Sequence, residues 1–339
     1  MTEAADVPTA LQDWMQAHVP GFCGALRMHA FEGGQSNPTF RLSAGSGEYV
    51  LRRRPMGKLL PSAHAVDREY RVIRALTGTG VPVPGVYGYC GDDSVIGSTF
   101  YVMDYVPGRI FFDPRLPDQP PAERRAMFGS MNDVIAALHS VDWRAAGLEG
   151  FGRPGGFLAR QIARWTSQYR ASEMQPIEAM DRLIAWLPAH LPAADEVSLV
   201  HGDYRMDNLL FHPSEPRVVA VLDWELATIG DPLADFGCHV STWRIAPELF
   251  RGLAGSDLRR LGIPGEAEYV ADYCRKTGRT AIADWEYYLV FGMFRLAAIL
   301  QGIRKRAAEG TAASQQAIDI GNRAPGVAAE AWALAGRIG

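Results

Sequence analysis

Three oxygen-bearing side chains near the middle of the chain place the strongest constraint on its fold. Asp203 and Asn208 lie five residues apart in the segment HGDYRMDN, and Asp223 directly follows the apolar run 218–222. A tight loop can bring Asp203 and Asn208 to one place, whereas the run before Asp223 has the pattern of a buried strand. A carboxylate that emerges from a buried strand is costly unless it meets a metal or a cation. The three residues therefore predict one polar site built from two loops.

These residue types suit phosphoryl transfer to a hydroxyl group. That reaction needs a carboxylate near the attacking hydroxyl, oxygen ligands for Mg²⁺ and cations around the moving phosphate. Asp203 fits the base, while Asn208 and Asp223 fit the metal ligands. For any one of them ordinary turn chemistry is an equally good explanation, because Asp and Asn favour loops. The ordered set favours the phosphoryl-transfer site.

Composition excludes several other classes of protein. The chain has 339 residues, of which 47% are hydrophobic and 21% charged, and its formal charge is −4, so disorder and nucleic-acid binding are not expected. Its acidic start lacks a signal pattern, and the apolar run 287–294 is shorter than the ~18 residues that span a bilayer. Cys23, Cys90, Cys238 and Cys274 are scattered. They predict reduced, buried thiols in a cytoplasmic protein without membrane partners.

The first hundred residues predict a small α+β unit. Gly45 and Gly47 mark a turn between two strand-like runs, and helical spacing begins near Ala63 and ends before Gly78. The expected elements are a helix over 8–19, strands at 40–42 and 49–51, a helix over 63–77, and strands within 86–90 and 99–106. Strands that surround one helix predict a small antiparallel sheet with that helix on one face.

The remainder of the chain predicts a larger, mainly helical lobe. A proline-rich connector at 113–122 precedes it, and the β-rich segment 197–223 interrupts it. The expected helices are 121–140, 157–171, 176–190, 232–250, 266–277 and 283–307. We therefore divide the chain into a small first lobe (1–103), a short connection (104–108) and a larger second lobe (109–339).

The pattern His-x-Asp-x4-Asn followed by a strand-borne Asp resembles the aminoglycoside phosphotransferase family, whose fold is protein-kinase-like. The resemblance covers about residues 25–310 and implies that Asp203 is the base, that Asn208 and Asp223 bind Mg²⁺ and that His201 is a packed structural residue. Arg205 stands where many protein kinases have a lysine near the γ-phosphate. It is either a catalytic cation or a solvated loop arginine.

The same resemblance predicts an ATP site in the first lobe. The segment 33–37 is similar to the family's phosphate-covering loop, although no GxxxxGK[ST] motif occurs. Arg52 takes the place of the nucleotide-binding lysine of protein kinases, and Glu69 is its expected partner unless it is a surface acid. Because side chains alternate along a strand, Arg52 and Arg53 lie on opposite faces, and only one of them faces the nucleotide. Both are candidates, and we prefer Arg52. The predicted nucleotide contacts in this lobe are Gly34, Ser36, Asn37, Arg52 and Glu69.

Two further segments complete the resemblance. The run 101–108 is similar to a kinase hinge, in which adenine pairs with the carbonyl of Asp104 and the amide of Val106 and rests on apolar side chains such as Met103. The segment 230–236 is similar to the family's GDPxxD motif. Its first acid, Asp231, is a candidate helix N-cap, and its second, Asp235, is expected to brace the catalytic loop.

The acceptor is predicted from the helical lobe. Arg160 and Arg164 share a helix face, and a second basic group (Arg295, Arg304, Lys305 and Arg306) lies on the last long helix. Basic helices suit an anionic substrate better than a polycationic aminoglycoside, unless these arginines pair with acids elsewhere. The segments 57–64, 159–165 and 201–208 resemble the kinase-like domain attached to some acyl-CoA dehydrogenases. That subgroup implies a hydroxyacyl-CoA or a related hydroxy acid as acceptor.

The sequence thus predicts an ATP- and Mg²⁺-dependent O-phosphotransferase that acts on a small hydroxylated molecule. Two alternatives stay open. One is an aminoglycoside or macrolide kinase, and the other is a catalytically idle kinase-fold protein that binds nucleotide. The unusual arginine at position 52 favours the idle protein, whereas the intact Asp203, Asn208 and Asp223 favour an enzyme.

Overall fold

The first lobe is a five-stranded antiparallel sheet between two helices. The structure is a computed structural model, which describes residues 7–31, 37–56, 65–310 and 315–338. The elements are α1 (Thr9–His18), β1 (Arg27–Ala30), β2 (Thr39–Ala44), β3 (Gly47–Arg53), α2 (Val66–Leu76), β4 (Val86–Cys90) and β5 (Phe100–Asp104). The strand order is β1-β2-β3-β5-β4. The predicted α+β unit is confirmed.

Alternation along β3 decides which side chain meets which helix. Tyr49 and Leu51 join the apolar cluster that α1 forms with one face of the sheet. Val50 joins the larger core on the other face, which includes α2. Because side chains alternate along a strand, Arg52 lies on the same face as Val50, toward α2. Burial of the odd-numbered residues under α1 thereby directs the Arg52 guanidinium toward the second lobe.

The second lobe is mainly helical, as the sequence predicts. Its elements are α3 (Pro121–His139), α4 (Phe157–Ser172), α5 (Glu178–Ala189), β6 (Ser198–Val200), β7 (Leu209–Phe211), β8 (Val218–Val221), β9 (Thr228–Gly230), α6 (Pro232–Val240), α7 (Pro247–Phe250), α8 (Leu258–Leu261), α9 (Glu266–Lys276), α10 (Trp285–Ala308), α11 (Gln315–Gly321) and α12 (Ala324–Ile338). Strand β6 pairs with β9 and β7 pairs with β8, both antiparallel. The loop after β6 (201–208) therefore begins beside the end of the loop after β8 (222–227) and ends beside its start.

One predicted helix of this lobe is wrong. The expected single helix over 232–250 is α6, a 3-10 turn (Ser241–Trp243) and the short α7. Pro247 lies at the first position of α7, where its missing N–H costs nothing, whereas inside a helix it would break a hydrogen bond. Strand β9 was missed because three residues give no periodic signal, and α8, α11 and α12 were also not predicted. The break after α6 lets the chain turn toward the site.

Two other sequence expectations concern apolar and sulfur-containing residues. The apolar run 287–294 is buried within α10. Within the described part of the chain, no helix combines the length and the apolar character that crossing a bilayer requires. All four cysteines are unpaired, and Cys90 and Cys274 are buried. The expectation of four buried thiols is wrong for Cys23, which is exposed in the loop before β1, and Cys238 is only partly buried.

Directly after the predicted hinge, the chain crosses to the second lobe on a backbone bridge. The Arg109 amide donates to the Phe211 carbonyl at 2.8 Å, and the Phe211 amide donates back to the Arg109 carbonyl at 2.9 Å. Gly108 packs so closely here that an added Cβ would lie 2.5 Å from Phe211 O and 2.5 Å from Leu210 Cγ. Position 108 therefore requires glycine.

We predict that Gly108→Ala destabilises the protein by about 2 kcal/mol, because overpacking of a fixed backbone contact has a cost of that order. The measurement is chemical unfolding followed by fluorescence. The matched control is Gly129→Ala inside α3, where an added Cβ meets nothing within 4 Å. That change should stabilise the helix by up to ~1 kcal/mol. Equal unfolding midpoints for the two variants would contradict the close packing at Gly108.

Candidate active site

His201 ties the two predicted loops together. Its imidazole is fully buried, and its Nε2 lies 2.9 Å from the Leu222 carbonyl oxygen. Its Nδ1 accepts from the Asp203 amide at 3.1 Å, which assigns the proton to Nε2 and makes Leu222 the acceptor. The imidazole thus fixes the loop after β6 relative to the end of β8. The packed, structural position predicted for this histidine is observed.

The loop after β6 turns at Gly202 and is braced from α6. Gly202 has a φ of +81°, and a Cβ there would lie 2.6 Å from Leu226 O, so only glycine fits. The Asp235 carboxylate accepts from the His201 amide at 2.8 Å and from the Gly202 amide at 3.0 Å. Burial alone would raise the pKa of Asp235, but the His139 hydrogen bond and the His201 contacts lower it below its usual value. Asp235 is therefore a charged brace, as the sequence predicts.

Asp203, the predicted base, lies among polar partners. Asn208 Nδ2 donates to Asp203 Oδ2 at 3.1 Å and to the Asp203 carbonyl at 2.9 Å. Arg205 Nε lies 3.3 Å from Asp203 Oδ2, and Arg205 Nη2 lies 3.2 Å from Asp207 Oδ2. Arg251, which follows α7, also pairs with Asp207. A chain of alternating charges thus runs from Arg251 to the Asp203 carboxylate.

Asp223 lies beside this group and is joined to the first lobe. Its φ of +63° is a left-handed conformation that is uncommon outside glycine and often marks functional sites. The Leu222 amide donates to the Asn208 carbonyl at 2.9 Å, so Asn208 and Asp223 are held in adjacent loops. Arg52 Nη2 donates to Asp223 Oδ1 at 2.7 Å. The structure therefore brings together the residues predicted for the base and the metal.

The donor set at this place fits a magnesium ion. Because Asn208 uses its amide nitrogen for Asp203, its Oδ1 is the atom suited to a hard cation. Asp223 uses Oδ1 for Arg52, and its second carboxylate oxygen can bind a metal. No cluster of three or more His, Cys, Asp or Glu side chains suited to a metal occurs among the described residues. Mg²⁺ usually binds through one or two protein ligands plus substrate phosphates and water, and these two side-chain oxygens suit that mode.

Arg52 is held by a buried acid on α2. Its Nε lies 2.8 Å from Glu69 Oε2, and Glu69 is only 1% exposed. Glu69 also accepts from Asn37 Nδ2 at 2.6 Å and from the Tyr101 hydroxyl at 3.2 Å. Burial raises the pKa of Glu69 to about 7, although Arg52 opposes this rise. The expected ion pair is present, and Glu69 is not a surface acid.

The other residues predicted to contact the nucleotide lie on strand β3, at the hinge and in the segment 33–37. Arg53 packs over the Phe40 ring at 5.4 Å, so Arg52 and not Arg53 reaches Asp223. At the hinge, the Asp104 amide donates to Gly85 O at 2.8 Å, and pairing of the Asp104 carbonyl and the Val106 amide with adenine stays a prediction. Met103 is buried in β5. Gly34 and Ser36 lie outside the described residues.

A cavity of about 670 Å³ opens beside Asp203 on the side of the helical lobe. One wall is α10, whose lining residues extend from Gly292 to Arg306, which is about 21 Å of helix. Most of the lining is apolar, and it includes Phe128, Met131, Trp165, Trp243, Ile245, Phe250, Leu296, Ile299 and Ile303. Five cations and three carboxylates also line it: Arg205, Arg251, Arg295, Lys305 and Arg306, with Asp203, Asp207 and Glu309. The cavity is long, apolar and locally positive.

The structure does not bring Arg160 into this cavity. Its guanidinium donates to the backbone carbonyls of Gly155 and Arg153, where it closes the turn before α4. Arg164 lines a separate small cavity behind the catalytic loop and lies over the Trp165 ring. Helical spacing places both arginines on α4 but does not indicate which cavity wall each one reaches.

Sequence reasoning assigned no role to Asp207 or Arg251 and named Arg295 only as part of a basic group. Asp207 lies inside the HGDYRMDN segment, and this position was the one sequence signal for its contacts with Arg205 and Arg251. Arg251 gave no signal, because the break between α6 and α7 that brings it to the site was not predicted. Its left-handed backbone, φ +42°, is visible only in the structure.

Known proteins resemble the chain over nearly its whole length. The crystal structure of a Ralstonia eutropha protein assigned to the aminoglycoside phosphotransferases superposes with a TM-score of 0.91 at 52% identity and covers 99% of both chains. A macrolide 2'-phosphotransferase from Brachybacterium faecium superposes with a TM-score of 0.59 at 19% identity, over 93% of this chain and 97% of that one. The second likeness shows the fold alone. The predicted two-lobe, protein-kinase-like fold is confirmed.

Sequence comparison gives the same result. Mouse acyl-CoA dehydrogenase family member 10 is 44% identical over 335 residues, which are 97% of this chain and 31% of that protein. Rat acyl-CoA dehydrogenase family member 11 is 43% identical over 321 residues, 92% of this chain and 41% of that protein. The chain thus spans less than half the length of these relatives. Residues 27–286 match the profile of the phosphotransferase enzyme family, and the chain belongs to that family.

Proposed function

We propose that the protein is an ATP- and Mg²⁺-dependent kinase that phosphorylates a hydroxyl group of a small anionic substrate. One observation carries the proposal: Asp203, Asn208 and Asp223 lie together and are tied to Arg52 of the first lobe. A base, two metal-binding oxygens and a cation are what transfer of a γ-phosphate requires. Family membership supports the same chemistry.

The proposed reaction is a direct in-line transfer. The acceptor oxygen forms a bond to the γ-phosphorus as the bond from that phosphorus to the β-bridging oxygen breaks, and ADP leaves. The hydroxyl proton passes to the Asp203 carboxylate. Arg205, 3.3 Å from Asp203, stabilises negative charge on the transferring group. When bound through Asn208 and Asp223, Mg²⁺ supplies charge neutralisation on the phosphate oxygens.

We predict that Asp203→Asn lowers kcat at least ~100-fold and leaves ATP affinity nearly unchanged, because a positioned base contributes on that scale. Steady-state transfer of labelled γ-phosphate and calorimetric ATP titration measure the two effects. Asp118→Asn on the exposed connector is the control for loss of a carboxylate. A kcat within threefold of wild type would remove Asp203 from the role of base.

We predict that ATP raises the Tm of the wild type mainly when Mg²⁺ is present and that Asp223→Asn loses most of this magnesium-dependent rise. Asparagine tolerates the left-handed backbone at position 223, so the change removes one charge with little added strain. A thermal-shift titration with ATP, ATP plus Mg²⁺ and ATP plus EDTA makes the comparison. A full magnesium-dependent rise in the variant would show that Asp223 does not hold the ion.

The cavity beside Asp203 supports an elongated, anionic acceptor. Cations exceed carboxylates in its lining, whereas burial lowers the pKa of His239 to about 4, so that residue is uncharged at neutral pH. The apolar residues of α10 that line the cavity between Arg295 and Lys305 suit an acyl chain, and the arginines near Asp203 suit a carboxylate or phosphate ester. The relatives carry the name acyl-CoA dehydrogenase. A hydroxyacyl-CoA or a related hydroxy acid satisfies these features.

Two alternatives are less well supported. Aminoglycosides are polycations and would meet Arg205, Arg251 and Arg295 in the cavity. A macrolide kinase would use the apolar lining but not these cations. An idle nucleotide-binding protein would not require the Asp203 and Asn208 contacts to be kept.

We predict that Arg251→Gln raises the KM for the anionic acceptor at least ~10-fold with little change in the KM for ATP, because a charged hydrogen bond is worth about 1.5–3 kcal/mol. The assay uses a hydroxyacyl-CoA series as acceptors. Arg125→Gln, an exposed arginine on α3 that pairs with Glu268, is the matched control. An unchanged acceptor KM would assign Arg251 to the support of Asp207 alone.

A further inference from the structure

Arg295 on α10 is a buried cation whose contacts do not include a carboxylate. The residue is 9% exposed, and no ion pair found among the described residues includes it, although Cys238 and the more distant Asp203 and Asp235 carboxylates raise its pKa against the effect of burial. Its Nη2 donates to the Gly202 carbonyl, and its Cζ lies 5.3 Å from the centre of the Trp165 ring. Burial of an arginine without a paired acid is expensive, and apolar replacements of buried charges often stabilise a protein. Stability alone therefore does not explain this arginine.

The carbonyl that Arg295 holds belongs to the residue directly before Asp203. Asp235 on α6 holds the amide of the same residue at 3.0 Å. Gly202 is thus held by an acid at its N–H and by a cation at its C=O, from two different helices. Glycine lacks a Cβ, so without restraint Gly202 would sample many backbone conformations besides the observed φ of +81°. The two contacts fix the peptide groups on both sides of Gly202, and the one held by Arg295 leads into Asp203.

Arg295 also lies in the wall of the acceptor cavity, together with Asp203 and Arg205. Its Cys238 neighbour on α6 lines the same wall. Two roles are compatible with this location. Arg295 either binds the acceptor directly or acts through the Gly202 peptide on the orientation of Asp203. The hydrogen bond to the carbonyl, which uses one end of the guanidinium fork, favours the second role.

We propose that Arg295 is a positioning residue for phosphoryl transfer, which holds the Gly202 carbonyl and thereby aims the Asp203 carboxylate at the acceptor hydroxyl. The proposal rests on the proposed role of Asp203 as base. A displacement of about 1 Å at a reacting group can cost on the order of 100-fold in rate. Arg295 therefore acts on kcat, whereas Arg251 acts on acceptor affinity.

The test compares Arg295→Met, Arg295→Lys and the control Arg275→Met, which removes an exposed arginine on α9. Arg295→Met should lower kcat by ~10- to 100-fold and change the KM values for ATP and acceptor less than threefold. Arg295→Lys keeps a donor for the Gly202 carbonyl. Its log kcat should therefore recover at least a third of the decrease that Arg295→Met causes. Hydrogen–deuterium exchange should rise in the loop 201–208 in Arg295→Met but not in the control.

Several outcomes would overturn the proposal. A raised acceptor KM at unchanged kcat would make Arg295 an acceptor-binding residue. No rescue by lysine, or an unchanged exchange rate in 201–208, would reject the contact with the Gly202 carbonyl as the cause of any lost activity. If Arg295→Met does not fold, the neutral Arg295→Gln takes its place in the same comparison, and a kcat and an exchange rate in 201–208 equal to wild type would then reject the proposal. Retained kcat in Asp203→Asn would instead refute the proposed base, independently of Arg295.

Discussion

The site depends on one interaction, the contact of the Arg52 guanidinium with two acids from different lobes. Glu69 on α2 and Asp223 after β8 lie 2.8 and 2.7 Å from its nitrogens. Asp223 and Arg52 are 171 residues apart in sequence, so this contact joins the sheet to the catalytic loops. It places a fixed cation beside the oxygens suited to the metal. Arginine fits this place because its planar fork bonds two carboxylates at once.

The rest of the site is built on buried polar groups that satisfy each other. Asp235 and Arg295 hold the Gly202 peptide, and His201 joins that loop to the end of β8. Each contact would be costly if broken, because the remaining partner would be buried without a hydrogen bond. Such a network keeps Asp203 in one orientation before any substrate binds. Preorganisation of this kind lowers the cost of reaching the transition state.

Local signals in the sequence were sufficient for the frame of the fold and for the centre of the site. Alternation in β3 placed Arg52 and Arg53 on opposite faces but left open which of them faces the nucleotide, and the family resemblance of the segment from Asp203 to Asn208 predicted the catalytic loop. The acceptor side was less predictable, because it depends on where helices end and how they pack. The helix expected over 232–250 ends at Val240, and Arg251 reaches the cavity after the short helix that begins at Pro247, whereas Arg160 turns back to backbone carbonyls. Residues that meet only through tertiary packing carry no periodic signal.

The most direct test of the central claim is a crystal structure with Mg²⁺ and a non-hydrolysable ATP analogue. The proposed site predicts an ion about 2.1 Å from Asn208 Oδ1 and an Asp223 carboxylate oxygen, with the γ-phosphate between Arg52 and the opening of the cavity at Asp203. Density for the nucleotide away from Arg52, or an ion that contacts neither Asn208 nor Asp223, would contradict it.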